Sequence, residues 1–180
     1  MDELGKKNAT DHVTFRIKKE TLSSLKSIAQ QETLSLNTMA NQIFASHLNW
    51  DIHASEVGWV VMLKASLTEL IKHVDKEVIV KIAKETAEIG SKEIALYMRG
   101  KYGVNEWISI IKDRSKMSGF KIKEYKDDSK IKLVLHHDMG ENWSVFFSTY
   151  YNVVFDEMGV SIKSEYTDNS IVLDLETALD

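Results

Sequence analysis

The sequence predicts an α+β protein in which a short β-α-α module precedes a larger domain of helices and antiparallel strands. Residues 13–17 alternate apolar and polar side chains with a period of two, as a strand does. Two apolar ladders of helical spacing follow, and after residue 119 the pattern changes to two pairs of alternating segments. A chain of 180 residues accommodates a small module joined to one ordinary domain.

The N-terminal module is predicted to span residues 1–50 as strand, helix, turn and helix. After the strand, residues 20–32 show apolar positions on one helical face, and Ser35 is placed to cap a second helix. A lone strand cannot satisfy its own backbone hydrogen bonds, and so short a unit cannot bury enough apolar surface by itself. Pairing of two copies would solve both problems, so an intertwined homodimer is expected.

The C-terminal domain is predicted to span residues 59–180, after a polar linker at residues 51–58. Residues 59–63 could form a short strand, and helices are predicted over 64–73, 75–100 and 105–117. Two predicted hairpins, 120–136 and 160–175, flank an aromatic helix at 140–158. The order hairpin, helix, hairpin indicates an antiparallel sheet with packed helices.

The N-terminal pattern resembles the ribbon-helix-helix family of DNA-binding proteins, of the MetJ, Arc and CopG type. The segments that carry the resemblance are 12–18, then Leu22, Leu25 and Ala29, then 35–40. The family usually has Gly between the two helices, where this sequence has Thr33, and this departure leaves the register of the turn open. The whole chain resembles archaeal regulators with an appended α+β domain, mainly through residues 137–144 and 166–170.

The resemblance implies a set of DNA-binding and dimer-core residues. Paired strands in the major groove would present side chains to the bases, namely His12, Thr14, Arg16 and Lys18. The start of the second helix would bind phosphate through Ser35, Leu36, Asn37 and Thr38. The shared core of the dimer would contain Val13, Phe15, Ile17, Leu22, Leu25, Met39, Ile43 and Phe44.

The charge distribution is compatible with this expectation without requiring it. The net charge is −4, but residues 1–50 contain six Lys and Arg against five Asp and Glu, so the acidic excess lies in the C-terminal part. Anchoring of phosphate by helix amides would tolerate so small a positive charge.

The aromatic helix supplies the candidate effector site. Trp143, Phe147, Tyr150 and Tyr151 recur at helical spacing and could line a pocket for an apolar or planar ligand. The same stripe could equally be a core face or a dimer interface. His136 and His137 are adjacent on a predicted strand and point to opposite faces, so no metal site is predicted.

The sequence contains no cysteine, no glycine-rich phosphate loop and no nucleophile motif, so neither a cofactor nor an enzymatic activity is predicted. A cytoplasmic location is expected, since the chain has neither an apolar span nor a signal-peptide pattern. The leading hypothesis is a homodimeric, sequence-specific DNA-binding transcriptional regulator, which could also form a higher oligomer. One alternative is an antitoxin-type DNA-binding protein whose C-terminal domain binds a protein partner. The other is a dimeric small-molecule-binding protein whose N-terminal module only dimerises.

Overall fold

The computed structural model describes residues 10–127 and 130–176. The chain forms two compact units, and the boundary between them lies between Ala45 and Ser46. In the N-terminal unit the helices are α1 (Lys19–Gln31) and α2 (Leu36–Ser46). Ser35 caps α2, because its hydroxyl accepts a 3.0 Å hydrogen bond from the Thr38 amide.

The turn between α1 and α2 places Thr33 in the left-handed region, with φ 57°. The Leu34 amide donates to the Ala29 carbonyl at 2.8 Å, and the Thr33 amide donates to the Gln30 carbonyl at 3.2 Å. These two hydrogen bonds form a Schellman motif, which satisfies the last carbonyls of α1. The turn therefore uses the conformation that favours glycine, with a β-branched residue in that position.

The predicted N-terminal ribbon is absent, so the predicted ribbon-helix-helix fold class is wrong. Residues 10–18 are exposed and belong to no helix or strand. The alternating side chains of residues 13–17 favour a strand, but the backbone groups of a strand need a neighbour to pair with, and the four strands described pair with one another instead. What the structure contains is a helix-rich protein with a small antiparallel sheet.

The C-terminal unit begins with a π-helical segment, His47–Asp51, which continues into α3 (Ile52–Ala54). The helices that follow are α4 (Lys64–Lys72), α5 (Lys76–Arg99) and α6 (Val104–Met117). Residues 51–54 are thus helical where a linker was predicted, and residues 59–63 form no strand.

The sheet is built from two hairpins in the order β1-β2-β4-β3, all antiparallel. Its strands are β1 (Lys121–Lys126), β2 (Lys130–His136), β3 (Ile162–Thr167) and β4 (Ser170–Glu176), and α7 (Glu141–Glu157) connects the hairpins. The central strands pair Leu133 with Leu173. One face of this central pair is buried through alternate residues: Ile131, Leu133, Leu135, Ile171, Leu173 and Leu175.

Helix α7 packs against α5 on one side and against β3 and β4 on another. Small side chains on α5 allow the close approach, since Ala83, Ala87, Ser91 and Ala95 recur every four residues and are fully buried. Among the described residues no helix is long and apolar enough to cross a membrane.

Candidate functional site

The C-terminal unit contains a cavity of about 360 Å³. Its walls come from the π-helical segment, α3, residues 58–62, α4, α6 and α7. Most of the side chains lining it are aromatic or aliphatic: Trp50, Ala54, Trp59, Val60, Val61, Met62, Leu67, Met117, Phe120, Met139, Trp143 and Phe147. Lys64, Arg114 and Ser118 supply its polar side chains. Volume and lining both fall in the range usual for sites that bind small organic molecules.

The π-helical segment positions Trp50, which is buried and lies 5.4 Å from Trp59, measured between ring centroids. Arg99 of α5 fixes this segment, because its Nη1 donates a 2.8 Å hydrogen bond to the Asn49 carbonyl. The same guanidinium pairs with Asp113 of α6 at 2.5 Å. The wider turn of a π-helix displaces backbone carbonyls from their α-helical hydrogen-bond partners. Arg99 is therefore a fixed partner for the Asn49 carbonyl.

Helix α4 is held against α7 by side chains that bond its carbonyls. The Trp143 indole donates to the Leu67 backbone carbonyl at 3.3 Å. The side-chain amide of Asn142 donates to the backbone carbonyls of Ile71 and Val74 at 2.9 and 3.1 Å. These contacts place Leu67 and Trp143 side by side in the cavity wall.

Arg114 is one of the two charged side chains described in the cavity wall, with Lys64. Its guanidinium carbon lies 4.7 Å from the centroid of the Trp59 ring and 4.8 Å from that of Phe147, a cation–π arrangement with both rings. Its Nη1 also donates a 3.1 Å hydrogen bond to the Tyr151 hydroxyl, and Tyr151 is buried. Three contacts therefore fix the orientation of this cation.

His137 is buried beside Phe147, with ring centroids 5.3 Å apart. Ser144 donates its hydroxyl hydrogen to the Thr167 carbonyl at 2.6 Å, so at 2.8 Å it accepts from His137 Nε2. His137 Nδ1 accepts from the Met139 amide at 3.1 Å. The ring is therefore the neutral Nε2–H tautomer, and burial, with the nearby charges of His136 and Lys64, lowers the pKa of His137 to about 4.

The four aromatic residues predicted for an effector pocket divide into two pairs. Trp143 and Phe147 line the cavity, whereas Tyr150 and Tyr151 are buried and do not line it. Burial raises the pKa of Tyr150, so its hydroxyl stays protonated at neutral pH. Trp50, Trp59 and Arg114 were not predicted as site residues from the sequence. The one indication in the sequence was the pair of tryptophans, Trp50 and Trp59, on either side of the predicted linker.

The residues predicted for DNA binding lie in the N-terminal unit but not on a ribbon. His12, Thr14, Arg16 and Lys18 are exposed in a segment without regular structure. Ser35, Leu36, Asn37 and Thr38 do form the start of α2. Of the predicted dimer core, Met39 is buried and Leu22 and Leu25 are half-buried, while Val13, Phe15, Ile17, Ile43 and Phe44 are exposed.

No protein-family model matches the sequence, and a search of curated proteins finds no match. Among solved structures, the chain is similar to one from a study of heme distortion in the H-NOX family, with 9% identity, a TM-score of 0.43, and coverage of 77% of this chain and 89% of that one. It is also similar to a point mutant of the T. Tengcongensis H-NOX, with 9% identity, a TM-score of 0.42, and coverage of 89% and 97%.

These findings correct the functional predictions. Residues 10–18, which carry the predicted ribbon, belong to no helix or strand, and no family model matches the sequence. The identification as a ribbon-helix-helix or archaeal-type regulator is therefore wrong, as is the DNA-binding transcriptional regulator inferred from it. Double-stranded DNA is unsupported as the partner, because without the ribbon no strand face presents Thr14 and Arg16 to a groove. The antitoxin alternative rests on the same DNA-binding module and falls with it.

Proposed function

We propose that the protein binds a small apolar molecule in the cavity of its C-terminal unit, and that its N-terminal unit joins two copies of the chain. The cavity of about 360 Å³ supports the first part, because most of the side chains in its wall are apolar or aromatic. The proposal corresponds to the third possibility raised by the sequence, a dimeric small-molecule-binding protein.

The segment at the cavity edge supports an apolar ligand. Val60, Val61 and Met62 line the cavity, yet all three are exposed, Val61 completely. A run of exposed apolar side chains is unfavourable in water unless something covers it. A ligand that fills the cavity would remove part of this surface from water.

Heme, named for one of the similar structures, does not fit this cavity. Heme iron in proteins is held by His, Cys or Tyr, or by Met together with His. The chain has no cysteine, and none of the side chains described as lining the cavity is His or Tyr. The buried His137 uses both ring nitrogens in hydrogen bonds. The proposed ligand is therefore an organic molecule that needs no metal.

The N-terminal unit supports the second part of the proposal through its exposed apolar surface. In residues 10–45, Ala29 and Met39 are the buried apolar side chains, whereas Val13, Phe15, Ile17, Ile28, Ile43 and Phe44 are 44–68% exposed. A unit of this size with so small a core is not stable alone. Burial of this surface against a second copy would supply the missing apolar contact.

The test of ligand binding is a titration with a neutral fluorophore, phenylnaphthylamine, whose emission rises when it leaves water. We expect saturable binding to the whole protein at one site per chain. Ser118→Phe, at the end of α6 and in the cavity wall, should weaken binding by filling the cavity. Lys116→Phe is the matched control, because it adds the same ring to the same helix at an exposed position outside the cavity. Absence of saturable binding to the unaltered protein would contradict the proposal.

A further inference from the structure

We propose that the ligand of the cavity is an apolar carboxylic acid, whose carboxylate binds to Arg114. This inference rests on the proposed function and adds the chemical class of the ligand. It starts from the charges in the cavity wall. The ionisable side chains described in that wall are Lys64 and Arg114, both cationic, and no Asp or Glu lines the cavity.

Arg114 lacks an acidic partner in the part of the chain that the structure describes. No carboxylate there lies within 4.0 Å of its guanidinium, whereas Arg99 on the neighbouring helix pairs with Asp113 at 2.5 Å. Partly buried guanidinium groups are usually paired with an anion, because removal of a charge from water is costly. An anionic ligand would supply the counter-charge that the described residues do not.

The guanidinium is also prepared to bind a planar anion. Of its five N–H groups, one donates to the Tyr151 hydroxyl at 3.1 Å, and the other four have no acceptor among the described residues. Its carbon lies over the rings of Trp59 and Phe147, 4.7 and 4.8 Å from their centroids, so little side-chain freedom is lost when a ligand binds. The fork of a guanidinium matches the two oxygens of a carboxylate.

A second donor without a partner lies in the same wall. The indole N–H of Trp59 is buried and has no acceptor within residues 10–127 and 130–176. An unpaired buried N–H is uncommon and costs stability. Trp59 lines the cavity and its ring lies 4.7 Å from the guanidinium carbon of Arg114, so this unpaired N–H and the unpaired cation belong to the same cluster of side chains.

The remainder of the wall defines the rest of the ligand. Leu67, Met139 and Trp143 are side chains that favour an alkyl chain or a fused ring over a polar body. Lys64 lies 5.5 Å from the centroid of Phe120 and adds positive charge, and its ammonium group has no hydrogen bond to any of the described residues. A single negative charge on a largely apolar molecule satisfies these walls, whereas a phosphate dianion would bring a larger desolvation cost.

The experiment compares two matched pairs of probes by calorimetry at neutral pH with the full chain: decanoate against decanol, and naphthoate against naphthalene methanol. We expect the unaltered protein to bind at least one acid about ten-fold more tightly than its alcohol, the usual scale for a charged hydrogen-bonded contact. Arg114→Gln should remove that preference, and Arg114→Lys should restore only part of it. Lys116→Gln, which removes one positive charge from the exposed side of the same helix, should preserve it.

The outcomes separate the inference from the function on which it rests. Equal affinity for acid and alcohol in the unaltered protein would overturn the carboxylate inference and leave the apolar site standing. Binding of none of the four probes, together with no binding of phenylnaphthylamine, would overturn both. Tighter binding of decyl phosphate than of decanoate would overturn the choice of a carboxylate. The comparison of acid with alcohol needs no variant, so an unfolded Arg114→Gln protein would not prevent the test.

Discussion

Arg114 donates a 3.1 Å hydrogen bond to the hydroxyl of Tyr151, a residue of α7 with almost no exposed surface. The bond connects α6 to α7, and the carbon of the same guanidinium lies 4.7 and 4.8 Å from the ring centroids of Trp59 and Phe147 in the cavity wall. The orientation of the cation thus depends on a group that does not itself line the cavity.

Removal of the Tyr151 hydroxyl should destabilise the protein. Tyr151→Phe deletes one hydrogen bond to a charged donor, and we expect the free energy of unfolding to fall by about 1–2 kcal/mol. Urea denaturation followed by circular dichroism measures this change. Tyr125→Phe is the control, because Tyr125 is exposed on β1, and its stability should match that of the unaltered protein. Equal stability of the two variants would show that the Arg114 bond contributes nothing.

The helices and hairpins of the C-terminal unit lie close to where the sequence places them, because long amphipathic patterns and alternating strands depend on local spacing. Helix α5, predicted over 75–100, spans Lys76–Arg99, and the hairpins predicted over 120–136 and 160–175 span 121–136 and 162–176. The errors fall on short apolar segments. Residues 13–17 and 59–63 have strand-like side chains, but a strand also needs a neighbouring strand, and the sequence does not show whether one exists.

The cavity could be predicted only in part. The aromatic periodicity of α7 indicated Trp143 and Phe147, and it could not separate them from Tyr150 and Tyr151, which share the helix but face the core. Arg114 gave no signal, because in the sequence it is one of several charged residues near the end of a helix. Its place in the cavity wall depends on its contacts with Trp59 and Phe147, which lie far from it along the chain and contact it only in the folded protein.

The burial of His137 should make stability depend on pH in the acid range. Its pKa is lowered from 6.5 to about 4 in the folded protein, mainly by burial, so between these values the unfolded state binds more protons. The contribution of His137 to the free energy of unfolding is therefore greatest above about pH 6.5. It decreases by about 3 kcal/mol in total as the pH falls towards 4.

Urea titrations of the unaltered protein and His137→Gln across this pH range would measure the effect. The variant should be less stable at neutral pH, because Ser144 and Met139 lose their partner, but its stability should change less between pH 6.5 and 4. His12→Gln, at an exposed position, should follow the unaltered protein. Parallel curves for the unaltered protein and His137→Gln would contradict the assignment.

The left-handed Thr33 should make glycine stabilising at the turn between α1 and α2. An L-residue in this conformation costs roughly 1–2 kcal/mol, and glycine avoids that cost while losing some entropy on folding. We expect Thr33→Gly to raise the stability of the N-terminal unit by about 1 kcal/mol. Hydrogen exchange of the α1 and α2 amides measures it. Glu32→Gly, one residue earlier at φ −84°, should instead lower stability. A loss of protection in Thr33→Gly would show that the turn needs the threonine side chain.

The exposed apolar surface of the N-terminal unit should hold two chains together. Phe44 packs on Phe15 with ring centroids 5.6 Å apart, yet about half of each side chain is exposed, so the pair presents an apolar patch that one chain cannot cover. We expect a dimer in sedimentation equilibrium at micromolar concentration, and we expect Phe44→Glu to shift it towards monomer, because the carboxylate would have to be buried without a partner. Asn41→Glu adds the same charge to α2 at an exposed polar position and should leave the dimer intact. An unaltered protein that sediments as a monomer would contradict the dimer.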